Sequence, residues 1–470
     1  MNPTDLAFTP ALEQARLIRQ KVVSPLDLTE LYLERIERLN PQLGAYVTVM
    51  AETALADARA KTEQLAGQPT DLPPFFGVPV SVKDLNPVAG VPCAYGIKAA
   101  RHLVPSQDDH VVTQLRQAGC ILLAKSATSQ LGSLPYTEPP GFPPARNPWQ
   151  LDYTPGGSSG GAAAALAAGL CALAQGSDGG GSIRGPAFCC GLVGMKASRG
   201  RISFAPVGER LEGLAINGPL GRTVADAAAL LDVLSGYVVG DPYWLPAPDP
   251  SFLAMTQQPV TSLRIGFATA LSPLGVAAAD CQRAVQDTAH RLEALGHIVE
   301  AITFPDLGEL IDPFVTVWQS VMAEAGAPWF VLERMNRWLF WRAFWQRTGP
   351  YLQAVSKLQQ IARQIVAFCH PYDAILLPTY MHGAIRVGEW RHQRPRQILE
   401  NIIRWIGPCP PFNASGQPAI AIPTGFTDQG LPLGVQLVGR PADEATLFAL
   451  AAQLEAQHPW SQQRPAMARE

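Results

Sequence analysis

Charge is scarce in this chain of 470 residues: Asp, Glu, Lys and Arg together make up 16%, against roughly a quarter in an ordinary soluble domain. With 47% hydrophobic residues beside them, that shortage excludes a disordered chain and calls for a large buried core. The formal net charge of -3 gives no electrostatic footprint for nucleic acid or an anionic membrane, and neither is expected as a partner. Cysteine is scattered (Cys93, Cys120, Cys171, Cys189, Cys190, Cys281, Cys369, Cys409) without a CxxC pair. The N-terminal Met1-Asn-Pro-Thr-Asp-Leu-Ala lacks a basic region and an apolar run, so no secretory signal is expected. Reduced thiols packed in the core of a cytoplasmic protein, Cys189 and Cys190 included, are the simplest account.

Other absences narrow the chemistry. None of the eight histidines sits in a recognisable motif, which sets a Ser-His-Asp hydrolase aside. Gly156-Gly-Ser158-Ser-Gly160 fits the GxSxG pattern, but Leu151-Asp-Tyr-Thr-Pro155 is not the buried strand that a nucleophile elbow requires. No lysine completes a GxxxxGK[ST] phosphate loop. Residues 155–177 carry no charge, a length that would cross a bilayer. They are rich in Gly, Ser and Ala and bounded by glycine turns, and read as buried core. With no internal repeat or linker, residues 1–470 form one expected domain.

What is present alternates helix and strand. Ser24 caps a helix with Pro25 at its first position and Asp27 in its first turn; Leu28, Tyr32, Ile36 and Leu39 share a face, and Asn40-Pro41 is expected to end it. This and an Ala-rich helix over 51–66 make an N-terminal helical part, about 5–66. Residues 67–74 read as a loop. A core follows over about 70–235, with a strand over 75–82 ending at Lys83-Asp84, a helix over 109–118 stopped by Gly119, and a buried strand over 120–124. The pattern recurs at 263–268, 277–295 and 298–304, and predicts helices packed on a largely parallel sheet. A variable segment over about 236–370 is helical from 309 and rich in tryptophan. Trp338, Trp341 and Trp345 should share a side, either packing in the core or a homodimer interface, or walling an apolar substrate. The chain returns to the sheet over about 371–460, with strands at 374–377, 419–422 and 434–438 and a last helix over 442–456.

The chemistry concentrates in residues 153–186, where two glycine-rich turns each end in serine, at Ser158 and Ser182. A helix over 160–169 advances roughly 15 Å, and a strand over 171–175 returns about as far. Both turns, and Lys83 at its strand end, can therefore meet beyond the carboxyl edge of the sheet, where α/β enzymes place their sites. Gly179, Gly180 and Gly181 leave backbone N–H groups unobstructed, as an oxyanion requires.

Taken together, Gly77-Val-Pro-Val-Ser-Val-Lys83-Asp84, Arg146-Asn-Pro-Trp, Thr154-Pro-Gly-Gly-Ser158-Ser-Gly-Gly and Ser177-Asp178-Gly-Gly-Gly-Ser182-Ile-Arg184-Gly-Pro-Ala resemble the amidase signature family. Cys190-Gly-Leu-Val-Gly-Met-Lys196, Asn217-Gly-Pro-Leu-Gly-Arg-Thr-Val-Ala-Asp226, Gly416-Gln-Pro-Ala-Ile and Gly430–Arg440 extend the resemblance over almost the whole chain. It implies an α/β fold with a large mixed, mostly parallel central sheet covered by helices on both faces. It also implies hydrolysis of a small-molecule carboxamide without metal or organic cofactor. Lys83 matches the family's general base, Ser158 its bridging serine held in a cis conformation, and Ser182 its nucleophile. Gly179, Gly180 and Gly181 match the oxyanion loop, and Asp178 and Arg184 match supporting positions with a structural role.

Three departures stand out. Met195-Lys196-Ala-Ser replaces the family's usual Leu-Lys-Pro-Thr, Lys125-Ser-Ala-Thr-Ser-Gln130 lacks the usual Asn and Glu, and Gly185 is expected to widen the site beside Ser182. Two alternatives stand beside the free-standing amidase: the A subunit of a glutamyl-tRNA amidotransferase, whose usual Tyr-Gly-Leu stretch is replaced here by Phe204-Ala-Pro-Val-Gly-Glu, and a non-catalytic binding protein on the same fold.

Overall fold

Short apolar runs between helices become the strands of a central sheet. The computed structural model describes residues 2–67 and 71–469; residues 68–70, inside the expected loop over 67–74, lie outside the described residues. The strands are Tyr46–Val49 (β1), Pro79–Lys83 (β2), Ile121–Ser126 (β3), Leu173–Asp178 (β4), Val193–Lys196 (β5), Ile216–Gly221 (β6), Arg264–Phe267 (β7), Ala270–Leu271 (β8), Gly275–Val276 (β9), Ile298–Ala301 (β10), Ala374–Pro378 (β11), Ala419–Phe426 (β12) and Pro432–Gly439 (β13). Apart from the β8–β9 hairpin, they form one mixed sheet in the order β1-β3-β2-β4-β6-β5-β12-β13-β11-β7-β10. Parallel pairs occupy two blocks, β3-β2-β4 and β11-β7-β10, with antiparallel pairing between them.

The register of the first block positions the site. β2 lies between β3 and β4, all three parallel, with Val80 opposite Leu173 and Ser81 opposite Ala174. Lys83 and Asp178, the last residues of β2 and β4, therefore emerge at the same carboxyl edge. β4 runs further than the expected 171–175, so Ser177 sits on the strand rather than in the turn. The uncharged stretch 155–177 is core: every residue of the helix Gly160–Ala167 is buried. All eight cysteines are buried and unpaired with one another. No helix among the described residues is long and apolar enough to cross a membrane.

One helix end departs from expectation. The helix beginning at Pro25 has the capping box of Ser24 and Asp27, but it runs through Pro41 to Leu43. Proline there removes only one intrahelical N–H, close to where the bonds run out anyway. The stop is Gly44 at φ 56°, whose N–H bonds the Asn40 carbonyl at 2.8 Å, a left-handed cap suited to glycine. The variable segment contributes β7 to β10 and then, from residue 308, folds into the helices Gly308–Glu324, Arg334–Phe344 and Thr348–Cys369.

Candidate active site

Lys83 has no exposed surface, and its amine is surrounded by hydroxyls rather than carboxylates. Nζ lies 2.7 Å from Ser158 Oγ, 2.8 Å from Ser159 Oγ, 3.0 Å from Ser177 Oγ and 3.3 Å from the Ser177 carbonyl. Burial penalises the charged form and lowers the Lys83 pKa from 10.5 to about 7, against the pull of the Asp178 carboxylate. The Lys83 backbone N–H is fixed as well, donating to Gln175 Oε1 at 3.0 Å.

Ser158 is carried by a turn that only glycine can make. A Cβ on Gly157 would lie 2.5 Å from the Tyr136 nitrogen and 2.7 Å from the Leu134 carbonyl oxygen, and the Gly157–Ser158 peptide is cis. The following N–H, of Ser159, donates to the Ser182 carbonyl at 3.3 Å. The two serine turns are thus joined directly. Ser182 Oγ makes no hydrogen bond among the described residues, and Ser158 Oγ is held by Lys83; catalytic hydrogen bonds are often loose before substrate binds.

Asp178 and Arg184 organise the glycine turn from beneath. The fully buried guanidinium donates from Nε to Asp178 Oδ2 and from Nη2 to Oδ1, each at 3.0 Å. Asn413 Nδ2 donates to Asp178 Oδ1 at 2.9 Å, and the Ile183 N–H donates to Oδ2 at 3.1 Å. Burial alone would raise the Asp178 pKa, but Arg184 and Asn413 hold it well below the usual carboxylate range. The Gly181 N–H also donates to Asp178 Oδ1, at 2.7 Å. This revises the expected oxyanion loop: Gly181 shapes the turn, at φ 123°, and its N–H is already engaged. The N–H groups of Gly179, Gly180 and Ser182 have no protein acceptor among the described residues.

Two chambers meet here, sharing Gly132, Gly179 and Leu211 in their walls. Ser182 lines the first, with about 880 Å³ of atom-free space including its mouth; hydrocarbon surrounds it, from Leu310, Phe314 and Trp318 on one helix and Ile402, Ile403 and Ile406 on another. Ser158 and Ser177 line the second, together with Asn86, Asp109 and Asn217.

One expectation is corrected, and one pair of alternatives is narrowed. Gly185 does not widen the site, because Tyr380 fills the space: a Cβ there would lie 1.7 Å from the Tyr380 hydroxyl. Of the tryptophans, Trp318 lines the apolar chamber, whereas Trp338, Trp341 and Trp345 do not; Trp345 is 75% exposed. Lys83, Ser158 and Ser182 could be picked out because each sits in a local motif. Ser159 and Ser177 were legible as neighbours of those motifs but their contact with Nζ was missed. Gln175, Asn413 and Tyr380 gave no local signal.

The amidase family model matches residues 27–448. A protein of Synechocystis sp. named for amidase activity is 50% identical over 463 residues, covering 98% of this chain and 91% of that one. A 6-aminohexanoate-cyclic-dimer hydrolase of Pseudomonas sp. is 33% identical, covering 99% of this chain and 98% of that protein. Among solved structures, a 6-aminohexanoate cyclic dimer hydrolase complexed with substrate superimposes with a TM-score of 0.91 at 31% identity, covering 98% of this chain and 99% of that one.

Proposed function

This chain belongs to the amidase signature family and is a hydrolase of amide C–N bonds, and we propose that it works through an acyl-enzyme on Ser182. The supporting observation is the Lys83 environment: a fully buried amine, near neutrality, seated on the hydroxyl of Ser158. A non-catalytic binding protein has no use for that arrangement.

Neutral Lys83 accepts the Ser158 proton while Ser158 Oγ takes the proton of Ser182, whose oxygen attacks the carbonyl carbon. A hydroxyl both donates and accepts, so Ser158 passes one proton on while receiving another. The N–H groups of Gly180 and Ser182 stabilise the oxyanion that forms; removing such a donor costs roughly 3 kcal/mol in other hydrolases. On collapse the C–N bond breaks and the relay runs backwards, with the nitrogen taking its proton from Ser158 and Ser158 being resupplied by Lys83. Water then enters by the same relay, cleaves the ester and frees Ser182. The reaction needs no metal or organic cofactor, and the substrate is a small-molecule amide whose acyl group is apolar, matching the hydrocarbon chamber beside Ser182.

A fluorophosphonate probe tests the nucleophile. Peptide mapping is expected to find one adduct, on Ser182, absent from Ser182→Ala. An adduct on Ser158, or one that survives Ser182→Ala, contradicts the assignment.

A further inference from the structure

The relay-side chamber also has a chemical character, and its use follows from the direction of proton transfer; this rests on the Ser182–Ser158–Lys83 reading above. Ser158 must hand a proton to the departing nitrogen, so that nitrogen comes within roughly 3 Å of Ser158 Oγ. Ser158 lines one chamber and Ser182 the other. The scissile bond therefore straddles their junction, and whatever the nitrogen carries extends into the relay side. That chamber has about 1790 Å³ of atom-free space with its mouth, far more than departing ammonia needs.

Much of its wall is apolar too, but unlike the other chamber it carries a buried polar patch, Asn86, Asp109 and Asn217. Asn86 Nδ2 donates to Asp109 Oδ2 at 3.1 Å and to Asn217 Oδ1 at 3.2 Å, bridging the two. Gln175 Nε2 donates to Asn217 Oδ1 at 3.1 Å. The Asn217 oxygen is thus used twice, while its Nδ2 is buried with no acceptor, although the residue is only 1% exposed. Asp109, also buried, accepts from Asn86 and from the Val111 N–H at 3.3 Å, which leaves carboxylate lone pairs unused. A purely structural network, pinning Lys83 through Gln175, accounts for Asn86 and the Asn217 oxygen. It does not account for a buried N–H₂ without an acceptor, which costs free energy until something supplies one.

A donor lacking an acceptor and an acceptor with capacity to spare, bridged by one side chain, match a group presenting C=O and N–H side by side. We propose that Asn217 and Asp109 form an amine-side subsite for a carboxamide, so that preferred substrates carry a second amide on the leaving amine. Asn217 Nδ2 donates to its oxygen, and Asp109 accepts from its nitrogen. An alkylamine offers neither contact and leaves Asn217 unpartnered once the chamber is closed to water.

The test compares two amides with the same hexanoyl group, one with 3-aminopropanamide and one with butylamine as leaving amine, with hexanamide as reference substrate. In the wild type the first is expected to exceed the second in kcat/KM. That ratio should fall about tenfold in Asp109→Asn, which keeps a helix-capping side chain, and in Asn217→Asp, which keeps the acceptor oxygen. Comparing ratios between enzymes cancels the intrinsic reactivity of the two amides. A measurement on the wild type alone guards against misfolded variants: 3-aminopropanamide should inhibit hexanamide hydrolysis at about one tenth the concentration that butylamine requires. Both amines are cationic, so equal inhibition would show that charge alone is being read and would overturn the carboxamide assignment. Ratios unchanged in both variants would also overturn it, while hexanamide turnover left the catalytic reading standing. No turnover of any hexanoyl amide would take down both.

Discussion

Four polar atoms lie within 3.3 Å of Lys83 Nζ, more than the three protons of an ammonium can serve. A neutral amine has two protons and a lone pair, and fits differently: it donates to Ser159 and Ser177 and accepts from Ser158. With the pKa lowered to about 7, Lys83 is protonated, and useless as a base, below that value. The kcat/KM is therefore expected to rise with pH through an inflection near 7, falling about tenfold per unit well below it. A flat profile between pH 5 and 8 would contradict the role. Stability carries the same sign. Between about 7 and 10.5 the unfolded chain binds more protons at Lys83 than the folded one, so this residue's contribution to stability grows as pH rises through that window. Denaturant titrations of the wild type and Lys83→Met at several pH values should show the wild type gaining relative to the variant across it, and a constant difference would argue that the folded lysine stays charged.

The elements that carry the chemistry are matched by shape. The helix starting at Arg184 packs its first turn against Tyr380, and Gly185 is the position that admits the ring. Gly185→Ile is expected to cost at least about 1–3 kcal/mol as overpacking, read by denaturant unfolding; a neutral result would mean Tyr380 can swing away. The helix Gly308–Glu324 supplies Leu310, Phe314 and Trp318 to the acyl chamber. Phe314→Ala should lower kcat/KM for long-acyl amides more than for acetamide, and equal losses would detach that helix from substrate. Local motifs made β2, the 160–169 helix and the two glycine turns readable, because turn glycines and strand ends declare themselves within a few residues. Tyr380 and Gly185 form their pair across nearly two hundred residues, and no pattern within either segment implies it. The Trp-rich helix left two readings open for a related reason: spacing fixes which residues share a face, not what that face meets.

Over the whole molecule, distant segments are tied to the site by buried polar groups. Gln130 Oε1 accepts from the Glu333 N–H at 2.8 Å and from Asn336 Nδ2 at 3.1 Å, and Ser133 Oγ donates to Asn336 Oδ1 at 2.7 Å. These bonds fasten the variable helices to the loop containing Gly132, which lines both chambers. Asp178 and Arg184 likewise reach Asn413 and Gln436 on the returning C-terminal part. Asp178→Ala would strand a fully buried guanidinium, at a cost of about 3–5 kcal/mol, and calorimetry should find the variant unfolding well below the wild type. An unshifted transition would show that the pair does not hold the turn. The step these ties support is covalent transfer of the acyl group to Ser182. Acid-quenching the enzyme during turnover of a hexanoyl amide and mapping the acylated peptide tests it most directly. The expected result is a hexanoyl ester on Ser182 that disappears once substrate is exhausted; turnover with no acylated peptide, or with the acyl group on Ser158, would contradict it.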